Sequence, residues 1–192
     1  VLCVSPDTQN PTTARMSETR RAEIVSIARR YDLQIIEDEC YAAVNPDQPA
    51  LRALAPERVW YTGSLSKSVS AALRFGYVVC PTGMGEAGRL TAQYGFFALS
   101  QPVNALCLDL MQSGAAQDIR AKAQVELSER LQMVVNRLGA FDLAWTPAMP
   151  FAWLRLPQGW RVSSFTRMAE DQGVLLRSPD QYALVHGRAP NA

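Results

Sequence analysis

Apolar positions fall along this chain in two alternating rhythms. "VLCVS" (1–5), "LQIIED" (33–38), "RVWYTG" (58–63) and "RFGYVVCP" (74–81) are short apolar runs rich in β-branched and aromatic residues, too brief for helices, and each is expected as a strand, the last closed by Pro81. Between the first two, Ser17 offers an N-cap. After it Ile24, Ile27, Ala28 and Tyr31 recur at i, i+3, i+4, i+7, the signature of one helical face. "LQIIED" suits a strand buried on both faces, so the unit is strand, helix, strand in a parallel or mixed sheet covered by helices. From about residue 84 to 139 the period becomes helical, and Ala123, Leu127, Leu131, Val134 and Leu138 form an apolar stripe on one long helix. Beyond Gly139, "FAWLRLP", "SSFTRMAEDQG" and "VLLRSP" predict strand, helix and strand.

The fold class expected is α/β, a three-layer sandwich with a mostly parallel sheet, joined to part of a smaller α+β domain. Residues 1–115 are assigned to the large domain, 116–140 to a long connecting helix and 141–192 to the small domain. The opening at Val1 inside a strand-like run and the close at "HGRAPNA" read as a piece of a longer protein.

Composition narrows the function classes. The 192 residues are 48% apolar and 19% charged, the balance of a soluble chain with a real core. A formal net charge of +1 removes the electrostatic case for a nucleic-acid surface on this segment, and no apolar stretch is long enough to cross a bilayer. Cys3, Cys40, Cys80 and Cys107 stand far apart, without a C-x-x-C pair and with His186 as the sole histidine. No metal site or disulfide framework is indicated, and a reducing cytoplasm is expected.

Candidate chemistry gathers where ligands usually sit in open α/β sheets, at the carboxyl ends of strands. Asn10 follows the first strand, Asp38 and Tyr41 the second, Ser64, Ser66 and Lys67 the third, and Arg74 opens the fourth. One cofactor suits all of them, pyridoxal 5'-phosphate. A lysine amine condenses with its aldehyde; an aspartate keeps its ring nitrogen protonated by ion pairing; tyrosine hydroxyl and asparagine amide satisfy its phenolate; serine hydroxyls and a guanidinium hold its phosphate. Taken singly, each residue has a plainer reading. Lys67 could be a solvated loop residue, Asp38 a turn residue, Tyr41 a half-buried aromatic, Asn10 half of a turn pair and Arg74 a surface ion-pair partner. Glu37 and Glu39 are expected as surface or supporting carboxylates, His186 as structural, Trp60, Tyr61, Phe96 and Phe97 as core or interface aromatics, and the cysteines as packed thiols.

"QNPT", "IIEDECY" and "GSLSKSVSAALRFGY" together resemble the class I/II aminotransferases of pyridoxal-phosphate fold type I, with N-P, D-x-x-Y and S-x-S-K followed by R-x-G in the same order. The texture of "RRAEIVSIARRYDLQIIEDECY" and "LAPERVWYTGSLSK" resembles the aminotransferase-like domain of the MocR-type regulators, in which a winged-helix DNA-binding domain precedes it. The resemblance implies that Lys67 is the Schiff-base lysine, that Asp38 pairs with the ring nitrogen, that Asn10 and Tyr41 contact the phenolate oxygen, and that Ser64, Ser66 and Arg74 hold the phosphate. It implies an aminotransferase acting on an amino acid and a 2-oxo acid, homodimeric when intact, with the segment alone inactive. The alternatives are an effector-sensing domain of a transcription regulator, binding DNA only if a winged helix precedes Val1, or a relative running decarboxylation, racemisation or β-elimination. The family's glycine-containing phosphate loop and ring-stacking aromatic have no counterpart in these residues. Its late carboxylate-binding arginine is not assigned to Arg188, and "AMPF" (148–151) stands where the family often has paired glycines.

Overall fold

The computed structural model describes residues 1–41, 48–95 and 99–183. The readings placed on Phe96, Phe97, His186 and Arg188 lie outside the described residues. The chain divides into two compact units, Val1–Asn10 with Ala14–Glu126, and Pro11–Thr13 with Leu127–Ala192.

In the first unit the four apolar runs form one sheet of β1 (Leu2–Val4), β2 (Ile35–Asp38), β3 (Val59–Ser64) and β4 (Gly76–Val79), in that spatial order. β1, β2 and β3 are parallel, with Leu2 beside Ile35 and Ile35 beside Val59; β4 runs antiparallel to β3, setting Ser64 opposite Gly76. Parallel neighbours require crossovers, supplied by α1 (Glu18–Arg30) and the single-turn α2 (Leu51–Leu54), a helix that the sequence pattern does not announce.

Strand alternation sorts the sheet's two faces. Ile35 and Val59 point to one side and are fully buried against Val25 and Ala28 of α1 and Leu51 and Ala55 around α2. Their neighbours point to the other, where α3 (Gly85–Gly95) brings Gly88 against Trp60 and Cys80 so closely that an added Cβ would meet the Cys80 sulfur at 2.3 Å. β2 is therefore not sealed on both faces: Ile36 is only half-buried and lines an open cleft.

Helix α1 corrects the face expected from its apolar spacing. Ser17 does cap it, accepting from the Arg20 amide, but the buried positions are Arg21, Val25 and Ala28, while Ile27 is 49% and Tyr31 62% exposed. A fully buried arginine rotates the helix away from its apolar phase because Arg21 has a buried counter-charge, Asp7, to meet.

The β3–β4 connection carries Lys67 and is pinned from below. Leu65, Cys107 and Ala116 form a buried cluster with Val69, Leu73, Phe75, Val103 and Leu110 packed on it, tying the loop to α4 (Gln101–Gln112) and the start of α5 (Ala115–Leu138). In the second unit Leu131, on the expected α5 stripe, is buried, as are Met149 and Trp153; Leu127 and Leu138 are half-buried and Val134 is exposed. β5 (Leu143–Ala144) pairs antiparallel with β6 (Trp153–Leu154), and α6 spans Val162–Asp171. "VLLRSP" does not form the expected strand. Val174, Leu175 and Leu176 are exposed, and no strand among the described residues offers them a ladder to join.

Candidate active site

All seven candidate residues belong to the first unit, at or just beyond strand ends. Asp38 is the last residue of β2, with its carboxylate exposed at a cleft of about 700 Å³ lined by Cys3, Val4, Ser5, Ile36 and Thr62 among others. Its Oδ1 accepts from the Cys40 amide at 3.1 Å, which fixes the turn into Tyr41. Asn10 Nδ2 donates to Tyr41 Oη at 3.4 Å, and Lys67 Nζ lies 5.9 Å from the centre of the Tyr41 ring. Three segments distant in sequence thus converge on one phenol.

The serines and Arg74 are placed less simply. Ser64 Oγ donates to the Phe75 carbonyl at 3.0 Å and accepts from the Ser66 amide at 3.0 Å, while Ser66 Oγ reaches the same carbonyl at 3.4 Å. Both hydroxyls are thereby turned onto the loop's own backbone. Arg74 adopts φ 46, closing the short 3-10 turn of Ala71–Leu73, and its exposed side chain makes no ion pair among the described residues. Ser68 Oγ donates to the Ser64 carbonyl at 3.1 Å and accepts from Arg120 Nη2 of α5 at 3.2 Å, a tether of the lysine loop that the motifs do not reveal.

Beneath these residues lies a buried charged network. Glu37 and Glu39 flank Asp38 and, by strand alternation, point to the side opposite it; both are buried, which excludes the surface alternative for each and leaves the supporting one. Glu37 caps α2, accepting from the Leu51 amide at 2.7 Å and the Arg52 amide at 2.8 Å; burial pushes its carboxyl up, and those two hydrogen bonds work against the rise. Glu39 Oε1 accepts from the Asp7 amide at 3.2 Å. Burial first, then the Asp7 charge, raises its carboxyl to about 8. Arg21 Nη2 pairs with Asp7 Oδ1, and the rest of its guanidinium donates to Met16 O at 3.3 Å and Pro49 O at 3.0 Å.

The thiols divide. Cys107 is buried, Cys40 and Cys80 are half-buried, and Cys3 is exposed, so the packed reading fails for Cys3. Burial and the neighbouring Asp38 push the Cys40 thiol up to about 12, which keeps it protonated and unreactive at neutral pH. No group of three metal-ligating side chains occurs among the described residues, and no helix there is long and apolar enough to cross a membrane.

An α/β sheet with a lysine, a tyrosine, an asparagine and an aspartate gathered at its strand ends defines a class of protein that the comparisons identify. The chain matches the aminotransferase class I and II family over residues 4–189, and it belongs to that family. It is 28% identical over 188 residues to an uncharacterised HTH-type transcriptional regulator of Bacillus subtilis, covering 95% of this chain and 40% of that protein. It is 25% identical over 185 residues to an uncharacterised aminotransferase of Saccharolobus solfataricus, covering 91% and 46% respectively. The solved structure of LysN, an α-aminoadipate aminotransferase of Thermus thermophilus complexed with N-(5'-phosphopyridoxyl)-L-leucine, superposes with a TM-score of 0.78 at 21% identity, covering 99% of this chain and 51% of that one. The fold is that of the pyridoxal-phosphate-dependent type I aminotransferases. The chain spans about two-fifths to one-half of the length of these relatives.

Proposed function

We propose that this chain carries the lysine-bearing part of a pyridoxal-phosphate-dependent aminotransferase site that moves an amino group between an amino acid and a 2-oxo acid. The convergence of Asn10, Lys67 and Tyr41 carries the reading. The donor set fits the cofactor. The amide of Asn10 and the hydroxyl of Tyr41 lie 3.4 Å apart and can serve one phenolic oxygen, with the Lys67 amine beside them and the Asp38 carboxylate open to the cleft. When bound, pyridoxal phosphate supplies an aldehyde for a Schiff base with Lys67 and a ring that draws electrons from the substrate's α-carbon.

The residues then divide the work. Asp38 holds a proton on the ring nitrogen by charge pairing; Tyr41 and Asn10 orient the ring through its phenolic oxygen. Lys67 Nζ would serve as the base for the substrate's α-proton and, once protonated, as the acid that delivers it to the carbon that was the cofactor's aldehyde. Ser64, Ser66 and Arg74 are assigned to the phosphate. The exposed guanidinium of Arg74, which makes no ion pair among the described residues, is ready for that role, whereas the two serine hydroxyls would have to turn from the Phe75 carbonyl. The expected setting is cytoplasmic and homodimeric.

The likeness to an HTH-type regulator over 95% of this chain supports a second reading, an effector-sensing domain of a MocR-type transcription regulator that uses the same cofactor site. One assay tests the site that both readings share, and a second separates them. The protein mixed with pyridoxal phosphate should gain visible absorbance that Lys67→Ala loses, and equal absorbance in the variant would refute the site. Amino-acid-dependent conversion of a 2-oxo acid by the intact protein supports the enzyme; cofactor binding with no turnover, together with DNA binding, supports the sensor.

A further inference from the structure

The loop bearing Asn10 is closed on itself by the Gln9 amide donating to Ala14 O at 3.0 Å and the Met16 amide to Pro6 O at 2.8 Å, but neither bond ties it to the strand end of Asp38 and Tyr41. It leaves β1 at Val4, contains Pro6 and Pro11, and reaches α1 only at Glu18. Its position is fixed from beneath by the buried network. Asp7 donates its amide to Glu39 Oε1 and gives its carboxylate to Arg21, and its carbonyl accepts from Arg15 Nε at 3.1 Å. Arg21 also holds Met16 O at the far end of the same loop and Pro49 O of the segment beyond Tyr41. Glu39 in turn stays in the sheet ladder through its own amide, which donates to Thr62 O at 2.9 Å. One residue therefore links the sheet, the Asn10 loop and the turn that presents Asp38 and Tyr41.

We infer that Glu39 is a positioning residue: through Asp7 and Arg21 it latches the Asn10 loop onto the strand end of Asp38 and Tyr41, and so sets the Asn10–Tyr41 pair. The groups facing its carboxyl are Asp7 from the loop, Glu37 from β2 and Arg21 from α1. Glu39 itself touches no reacting atom on this account. Only the cofactor-affinity arm of its test rests on the function proposed above.

Two measurements on the intact protein test the latch. In amide hydrogen exchange the wild-type Asp7 amide should be protected, and Glu39→Ala should speed exchange across residues 7–16 while Glu39→Gln, which keeps the accepting oxygen, restores protection. In titration with pyridoxal phosphate at neutral pH, Glu39→Ala should weaken binding by about three- to tenfold, the effect of losing one buried hydrogen bond to a neutral carboxyl. That loss should shrink to almost nothing in an Asn10→Ala background, because Glu39 acts through Asn10. An unprotected Asp7 amide in the wild type, or an affinity loss of the same size with and without Asn10, would overturn the inference. A wild-type protein that shows the protected loop but binds no cofactor refutes the proposed function and leaves the latch standing.

Discussion

Replacing Glu39 by Gln should change how the stability of this protein depends on pH, by an amount the structure bounds. In the folded chain the Glu39 carboxyl holds its proton up to about 8, against 4.5 when unperturbed. Below 4.5 it is protonated folded or unfolded and contributes no pH dependence. Between 4.5 and about 8 the unfolded chain releases the proton and the folded chain keeps it, so stability falls as pH rises, and above that window both forms are ionised and the loss is complete. At about 1.4 kcal/mol per pH unit, the window corresponds to about 3–5 kcal/mol. Gln retains the oxygen that accepts from the Asp7 amide and removes the titration. Urea unfolding followed by far-ultraviolet circular dichroism at intervals from pH 5 to pH 9 should show the two proteins converging at the acid end. At pH 9 the variant should be the more stable by about 3 kcal/mol or more. A shallower decline should persist in both, since the raised carboxyl of Glu37 titrates in the same direction. Curves that stay parallel, differing by less than about 1 kcal/mol across the range, would refute the assignment of a buried, proton-retaining Glu39.

Other substitutions probe separate parts of the account. Arg21→Met leaves Asp7 buried without its counter-charge and should cost about 3–5 kcal/mol in urea unfolding; a loss under about 1 kcal/mol would mean that the pair is not buried as described. Leu65→Ala should cost about 2–4 kcal/mol and lower pyridoxal-phosphate affinity, because the buried cluster under the lysine loop loses its central side chain; full affinity at reduced stability would detach the cluster from Lys67. Ala148 holds φ 62, which costs an alanine about 1–2 kcal/mol, so Ala148→Gly should raise stability by about 0.5–1 kcal/mol net of glycine's extra freedom when unfolded. A lower thermal midpoint would contradict that backbone state.

Local physics made much of the fold legible. The four sheet strands are short apolar runs with polar ends, and Ser17 caps α1 as its position implies. What escaped is non-local. The true face of α1 depends on Arg21 finding Asp7 fourteen residues earlier, and no periodicity of apolar side chains records a buried ion pair. The same partnership hides Glu37 and Glu39, although alternation along β2 held a clue: if Asp38 faces the cleft, its two neighbours face the core. "VLLRSP" misled for the converse reason, since a short apolar run becomes a strand only where another strand meets it. The candidate site was legible as an ordered set of residue types, but the tethers that hold it, Glu39 to Asp7 and Arg120 to Ser68, join segments that no motif connects.

Lys67 is proposed as the amine that takes pyridoxal phosphate. Treating the intact, cofactor-mixed protein with borohydride and mapping the labelled peptide tests it most directly. One phosphopyridoxyl label is expected, on Lys67 in the peptide containing "GSLSKSVS", and none in Lys67→Ala. Label on Lys122, or no label at all, would contradict it.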